Sequence, residues 1–183
     1  MDAKKIVSAC LQGDRRAQGQ LYGAFAPYSL AVIRRFGVNA SREKDLLQEI
    51  FIEVFAKLGR FDEKKGTFKT WLRQLTVFRI VDFQRKGEHL KFLSLDAPEF
   101  HEPAAEVSFE QLSPNYLRRR IAELPSGYRT VFNLFAIEGL SHQRIADLLG
   151  VNPATSRSQY HRARQLLQVS CRAYAQKKIC CHE

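Results

Sequence analysis

Apolar residues recur along this chain at three- and four-residue spacing in segment after segment, and no stretch of strict alternation interrupts them, so the pattern predicts helices throughout. Ile6, Val7, Cys10 and Leu11 mark a first helix over residues 3–12, which Gly13-Asp14 closes while capping the next. Ala17, Leu21, Phe25, Tyr28, Leu30, Val32, Ile33 and Phe36 continue the period to a stop at Gly37, with Pro27 expected to bend or divide that helix. Ser41 is expected to cap a third helix over roughly 42–58, whose stripe of Leu46, Leu47, Ile50, Phe51, Val54, Phe55 and Leu58 is wider than one small core requires. Gly59 to Gly66 reads as a loop, and Thr67 or Lys69 opens a fourth helix in which Trp71, Leu72 and Leu75 are expected to be core.

From Asp96 to Leu117 the apolar density falls, three prolines appear, and five carboxylates stand with no Lys or Arg, which reads as an acidic flexible linker. Two further helices follow, about Tyr116–Leu124 and Tyr128–Ile137, broken by Leu124-Pro125-Ser126-Gly127. The last elements have the punctuation of a helix-turn-helix. Ser141 caps a helix carrying Ile145, Leu148 and Leu149, with the small Ala146 on the adjoining turn, and Gly150 supplies the left-handed stop. Asn152 and Pro153 then open a final helix. The fold class expected is all-α, with a domain at 1–92, a linker at 93–113, a helix-turn-helix domain at 114–178 and a tail at 179–183.

Charge turns this pattern into a candidate function. The 183 residues carry a formal net charge of +10, favouring a polyanionic partner. No Asp or Glu occurs from Pro153 to His182, so the final helix offers Thr155, Ser156, Arg157, Ser158, His161 and Arg162 on its early turns as candidates to read duplex DNA. A plain helical hairpin has the same punctuation, but a merely solvated face usually mixes its signs. Around the Gly59–Gly66 loop, Lys64, Lys65, Lys69 and Arg79 are interleaved with Phe61 and Phe68, the combination of cation and ring that single-stranded nucleic acid needs.

The third helix reverses the sign. Asp45, Gln48, Glu49, Ile52 and Glu53 form its other side, and such a set is either a solvated face or, because Ile52 is among the carboxylates, a surface for a basic protein partner. Catalysis has no comparable support: the five histidines are scattered and no carboxylate cluster sits beside His or Cys at metal spacing, while a metal or redox site of Cys180-Cys181-His182 with Cys171 would have poor tetrahedral geometry, so no cofactor or metal is expected. Cys10, Cys171, Cys180 and Cys181 lack CxxC spacing and are expected to stay thiols. No apolar run is long enough to span a bilayer and no signal-type segment opens the chain, so a cytoplasmic location is expected.

Two separated blocks resemble the extracytoplasmic-function (ECF) sigma factors of bacterial RNA polymerase. DLLQEIFIEVFAKLGRF, with FKTWL and Asp82 after it, is similar to sigma region 2; LPSGYRTVFNLFAIEGLSHQRIADLLG, with RAR after it, is similar to region 4. The resemblance implies that Asp45, Gln48, Glu49 and Ile52, with neighbouring Glu53, bind the clamp helices of the core polymerase β′ subunit. It implies that the loop after Gly59 and the start of the fourth helix capture bases of the minus-10 strand, and that Thr155 to Arg162 read the minus-35 element while the domain meets the β flap. The acidic linker would run through the polymerase's basic channels, and an anti-sigma factor becomes a further partner. Two departures stand out: Val77-Phe78 replaces a frequent Arg-Asn pair, and Ser156 and Gln159 replace a normally apolar residue and a common Arg. The rival readings are a stand-alone helix-turn-helix regulator and a basic protein that merely holds RNA.

Overall fold

A computed structural model describes residues 3–87 and 113–180, with side chains for 5–87 and 113–171. The regular elements among them are all helical: α1 (Ala3–Leu11), α2 (Arg15–Arg35), α3 (Ala40–Lys57), α4 (Phe68–Lys86), α5 (Pro114–Glu123), α6 (Ser126–Phe132), α7 (His142–Leu149) and α8 (Pro153–Cys180), with short turns between. They divide into two compact units, the first ending at Lys86. Residues 88–112, which hold nearly all of the expected linker, and residues 181–183 lie outside the described residues, as do the side chains of Cys180 and Cys181.

In the first unit α1 to α4 pack around Leu21, Ile33, Phe36, Leu46, Ile50, Val54, Leu72 and Ile80, all fully buried. Gly13 turns the chain at φ +84°, and the Asp14 carboxylate then accepts from the Arg16 and Ala17 N–H groups at 2.7 and 3.3 Å. Pro27 does not divide α2, which runs unbroken from Arg15 to Arg35. The proline is on the exposed face, where the carbonyl it strands at Gly23, also exposed, can be hydrated. The cap of α3 is Asn39 rather than Ser41: its side-chain oxygen accepts from the Ser41 N–H at 3.1 Å and hydroxyl at 3.0 Å. Buried Val38 anchors the chain just before it, so the helix starts two residues early. At the far end of α2, the Gln84 amide of α4 donates to the Phe36 carbonyl at 3.0 Å inside the core.

The expected loop after α3 is two 3-10 turns, Leu58–Arg60 and Glu63–Lys65. Gly66 follows at φ +153°, and the Thr67 hydroxyl caps α4 by accepting from the Thr70 N–H at 3.2 Å.

In the second unit Ile121, Leu124, Tyr128, Ala163 and Leu167 form a cluster flanked by Leu117, Phe132 and Leu166. Ser113 caps α5, and the Arg129 guanidinium of α6 donates back to the Ala122 carbonyl, buried enough to pull its pKa down. The helix expected over Tyr128–Ile137 is α6 followed by one wider π turn, Asn133–Ile137. The helix-turn-helix follows the sequence punctuation closely. The Ser141 hydroxyl accepts from the Arg144 N–H at 3.2 Å, Gly150 sits at φ +68°, and the Asn152 side chain accepts from the Ala154 N–H at 2.8 Å, with Pro153 opening α8. Cys10 and Cys171 are buried free thiols, and burial raises both pKa values. No helix among the described residues is long and apolar enough to cross a membrane.

Candidate nucleic-acid and protein interfaces

Helical phase sorts the early turns of α8 into an outer and an inner face. Ala154, Arg157, His161 and Arg164 recur at three- and four-residue steps and are all exposed, while Thr155, Ser158 and Arg162 are half-buried beside them. Ser158 spends its hydroxyl proton on the Thr155 carbonyl at 2.9 Å. Ser156, expected from its chemistry to face DNA, is on the opposite side with no exposed surface. Its hydroxyl lies 2.9 Å from Nδ1 of His142, the first residue of α7. Gln159 is buried too.

His142 belongs to a group of rings that the sequence reading did not single out. The π turn carries Phe135, whose ring lies parallel to the imidazole at 4.2 Å with an interplanar angle of 11°. Tyr160 of α8 closes the group, 4.5 Å from Phe135 and 5.9 Å from His142, with Phe132 stacked on it at 6.0 Å. Burial holds the His142 pKa below its ordinary 6.5, and the nearby Arg157 charge pushes the same way. Nothing in the spacing of Phe135, His142 and Tyr160 signals this cluster, because the π turn shifts the phase of Phe135.

In the first unit, Asp45, Gln48 and Ile52 stand exposed on α3, Ile52 with 68% of its surface open. Glu53 pairs with Lys57 on the same helix. Glu49 is half-buried and ion-paired at 2.9 Å with Arg79 of α4, which also approaches Asp82 at 3.5 Å. Sequence reasoning put Glu49 and Arg79 in different sites, and the fold joins them. Arg79 is ten residues beyond Lys69, about 15 Å along the helix axis, so it stands apart from the loop cations.

Asp82 gathers Arg79, Arg85 at 3.2 Å and Lys86 at 3.0 Å, and the hydrogen bond from Lys86, chief among these, holds its pKa below 3.8. A carboxylate whose folded pKa is lowered stabilises above its unfolded value and loses that contribution as pH falls through the folded one. Asp82→Asn should therefore cost about 1 kcal/mol or less at neutral pH, as expected for a half-exposed ion network. In urea unfolding the difference from wild type should shrink below pH 3.8.

At the loop, two aromatic assignments exchange places. Phe68 is 3% exposed, edge-on to Phe25 at 4.9 Å and Phe61 at 5.5 Å, and cannot offer a face to a base. Trp71, expected in the core, is half-buried, its ring 5.8 Å from the half-buried Phe61, and Leu75 is likewise half-buried. Lys64, Lys65 and Lys69 are exposed around them, Lys69 with its ammonium 4.7 Å over the Tyr28 ring. The signal was present in the spacing: Phe68, Leu72, Thr76 and Ile80 are in phase and buried, whereas Trp71 lies a hundred degrees round the helix from Leu72. Val77 is buried, and Phe78, two turns beyond Trp71, is exposed.

Comparison with known proteins matches the Sigma-70 region 2 family model over residues 21–89 and the Sigma-70 region 4 model over residues 115–167. The ECF RNA polymerase sigma factor SigE of Mycolicibacterium smegmatis is 32% identical over 139 residues, 73% of this chain and 53% of that longer protein. The RNA polymerase sigma factor SigZ of Bacillus subtilis is 30% identical over 138 residues, 73% of this chain and 77% of SigZ. A solved structure of CnrH in complex with the cytosolic domain of CnrY is 23% identical with a TM-score of 0.49, covering 92% of this chain and 96% of CnrH.

Proposed function

Since the chain belongs to the extracytoplasmic-function sigma factors of bacterial RNA polymerase, we propose that its two units share promoter selection, the first holding core polymerase and an opened strand, the second reading duplex DNA. The observation that carries this is that each unit exposes a face of different chemistry: Ile52 among Asp45 and Gln48 on α3, and the acid-free turns of Arg157, His161 and Arg164 on α8. An aliphatic side chain open to water among carboxylates suits a partner with a basic rim and an apolar centre, the role the family gives to the β′ clamp helices. Glu49 and Glu53 would supply carboxylate oxygens at the edge of that contact, held in place by their pairs with Arg79 and Lys57.

In the first unit, strand capture is reassigned to Phe61 and Trp71 with Lys64, Lys65 and Lys69 around them, and Phe68 becomes their support. In the second, Thr155, Arg157, Ser158, His161 and Arg162 would read the minus-35 element, joined by Arg164 on the phosphates, while the same domain meets the β flap. The segment 93–113 would thread the polymerase's channels as an acidic substitute for nucleic acid. The protein works in the cytoplasm, without catalytic activity of its own, and an anti-sigma factor is the partner that would restrain it.

The test is transcription in vitro with purified core polymerase and promoter fragments from the host genome: initiation at discrete sites that depends on this chain is expected, and its absence everywhere would sink the proposal. Ile52→Glu should weaken competition for core about tenfold, the effect of losing an interface anchor worth roughly 1.4 kcal/mol. Its unfolding free energy should move by no more than about 0.5 kcal/mol, as for other exposed sites. A stand-alone regulator would bind its duplex without core and be indifferent to Ile52→Glu.

A further inference from the structure

Resting on the duplex-reading role of α8, we propose that His142 and Ser156 form a positioning latch that sets the roll of the recognition helix and thereby its sequence preference. Ser156 is fully buried, and its hydroxyl meets His142 Nδ1 at 2.9 Å. The imidazole cannot swing away, because it lies flat on Phe135 at 4.2 Å, and Phe135 is carried on the π turn. One helical turn after Ser156, Tyr160 rests against the same ring group. α8 is therefore gripped at two points on one face, a directional bond at Ser156 and ring packing at Tyr160.

The hydrophobic effect is non-directional, so burial of Ala163 and Leu167 holds α8 in place without itself specifying one roll angle as sharply as a directional bond does. A hydrogen bond weakens steeply once its angle is lost, so the Ser156 contact restricts what packing permits. The consequence reaches the outer face through Arg157, the next residue along. With side-chain tips about 5–6 Å from the helix axis, a 15° roll moves them by about 1.5 Å, enough to break a bidentate contact to a base edge. A charge interaction with phosphate tolerates the same shift. The latch should thus govern discrimination between sequences more than overall affinity. Burial and the neighbouring Arg157 charge both favour the neutral imidazole, whose Nδ1 can accept from the hydroxyl or, as the other tautomer, donate to it.

The experiment uses holoenzyme assembled from the full chain and purified core, and duplex promoter fragments that wild-type holoenzyme recovers from a randomised library. For each variant, affinity is measured on the best fragment and on its scrambled upstream counterpart, across a salt series. Ser156→Ala and His142→Ala should each lower the ratio of the two affinities three- to tenfold, with scrambled-duplex binding and salt slope changed less than twofold. The double variant should be no worse than either single one. His142→Asn, whose side chain places a hydrogen-bonding atom near the position of Nδ1, should recover most of the ratio, which a mere loss of folding would not allow. Recovery of a shared upstream motif by wild type with ratios unchanged in the variants, or with single effects that add, overturns the latch alone. If wild type recovers no motif, the promoter reading falls and the latch with it.

Discussion

Phe68→Ala is expected to destabilise the first unit by about 3–5 kcal/mol, the cost of removing a buried aromatic ring and leaving a cavity. For a unit of this size total stability is of the order of 5–15 kcal/mol, so the variant should unfold near growth temperature. The ring is enclosed by Phe25, Phe61 and Trp71, and all three lose contact at once. Trp71→Ala should behave differently. Its ring is half-buried, so the loss of stability should be near 1 kcal/mol, typical of single substitutions. Base stacking on an aromatic platform contributes about 1–3 kcal/mol, so promoter opening should fall by roughly 5- to 150-fold. Urea unfolding of the free protein separates the two, and permanganate reactivity of promoter thymines with holoenzyme reports opening. A Phe68→Ala chain that keeps its unfolding midpoint yet fails to open promoters would put that ring, not Trp71, against DNA.

That exchange of roles illustrates which parts of the molecule could be read ahead of its fold. The helix-turn-helix boundaries were legible to the residue because each rests on a local mechanism: the Ser141 hydroxyl and the Asn152 amide satisfy orphan N–H groups, Gly150 takes a left-handed conformation, and Pro153 loses nothing at a first helical position. Where the outcome depended on distant partners, chemistry misled. Ser156 looks like a DNA contact by type, but its phase turns it toward His142. Asn39 displaced Ser41 because buried Val38 fixed where α3 begins. Pro27 suggested a division that exposure on α2 made unnecessary. The pairing of Glu49 with Arg79 spans thirty positions and two helices, and no periodicity within either helix could have disclosed it. Composition nevertheless singled out two faces that the fold leaves exposed, since an acid-free final helix and an Ile52 set among carboxylates can be read from content alone.

Arg157→Glu should reduce affinity for the best duplex about a hundredfold or more, the second large effect expected of this protein. Arg157 is exposed at the centre of the outer face of α8, flanked by His161 and Arg164 at helical steps, and no acidic residue of the same helix offsets it. A bidentate contact from such an Arg to a guanine edge is worth about 1–3 kcal/mol, and reversing the charge adds repulsion from the phosphates. Arg157→Ala separates the two contributions. If Arg157 reads a base, alanine should relax preference at one position of the upstream motif and leave the salt slope nearly unchanged. Were it only a phosphate ligand, all duplexes should weaken alike and the slope of log affinity against log salt should fall by about 0.9. Arg164→Ala supplies the comparison on the same helix, two turns further from its N-terminus, where the phosphate pattern is expected. Near-wild-type affinity for Arg157→Glu on every duplex tested would mean that the outer face of α8 does not meet DNA, because a reversed charge at the centre of a contact surface cannot be silent.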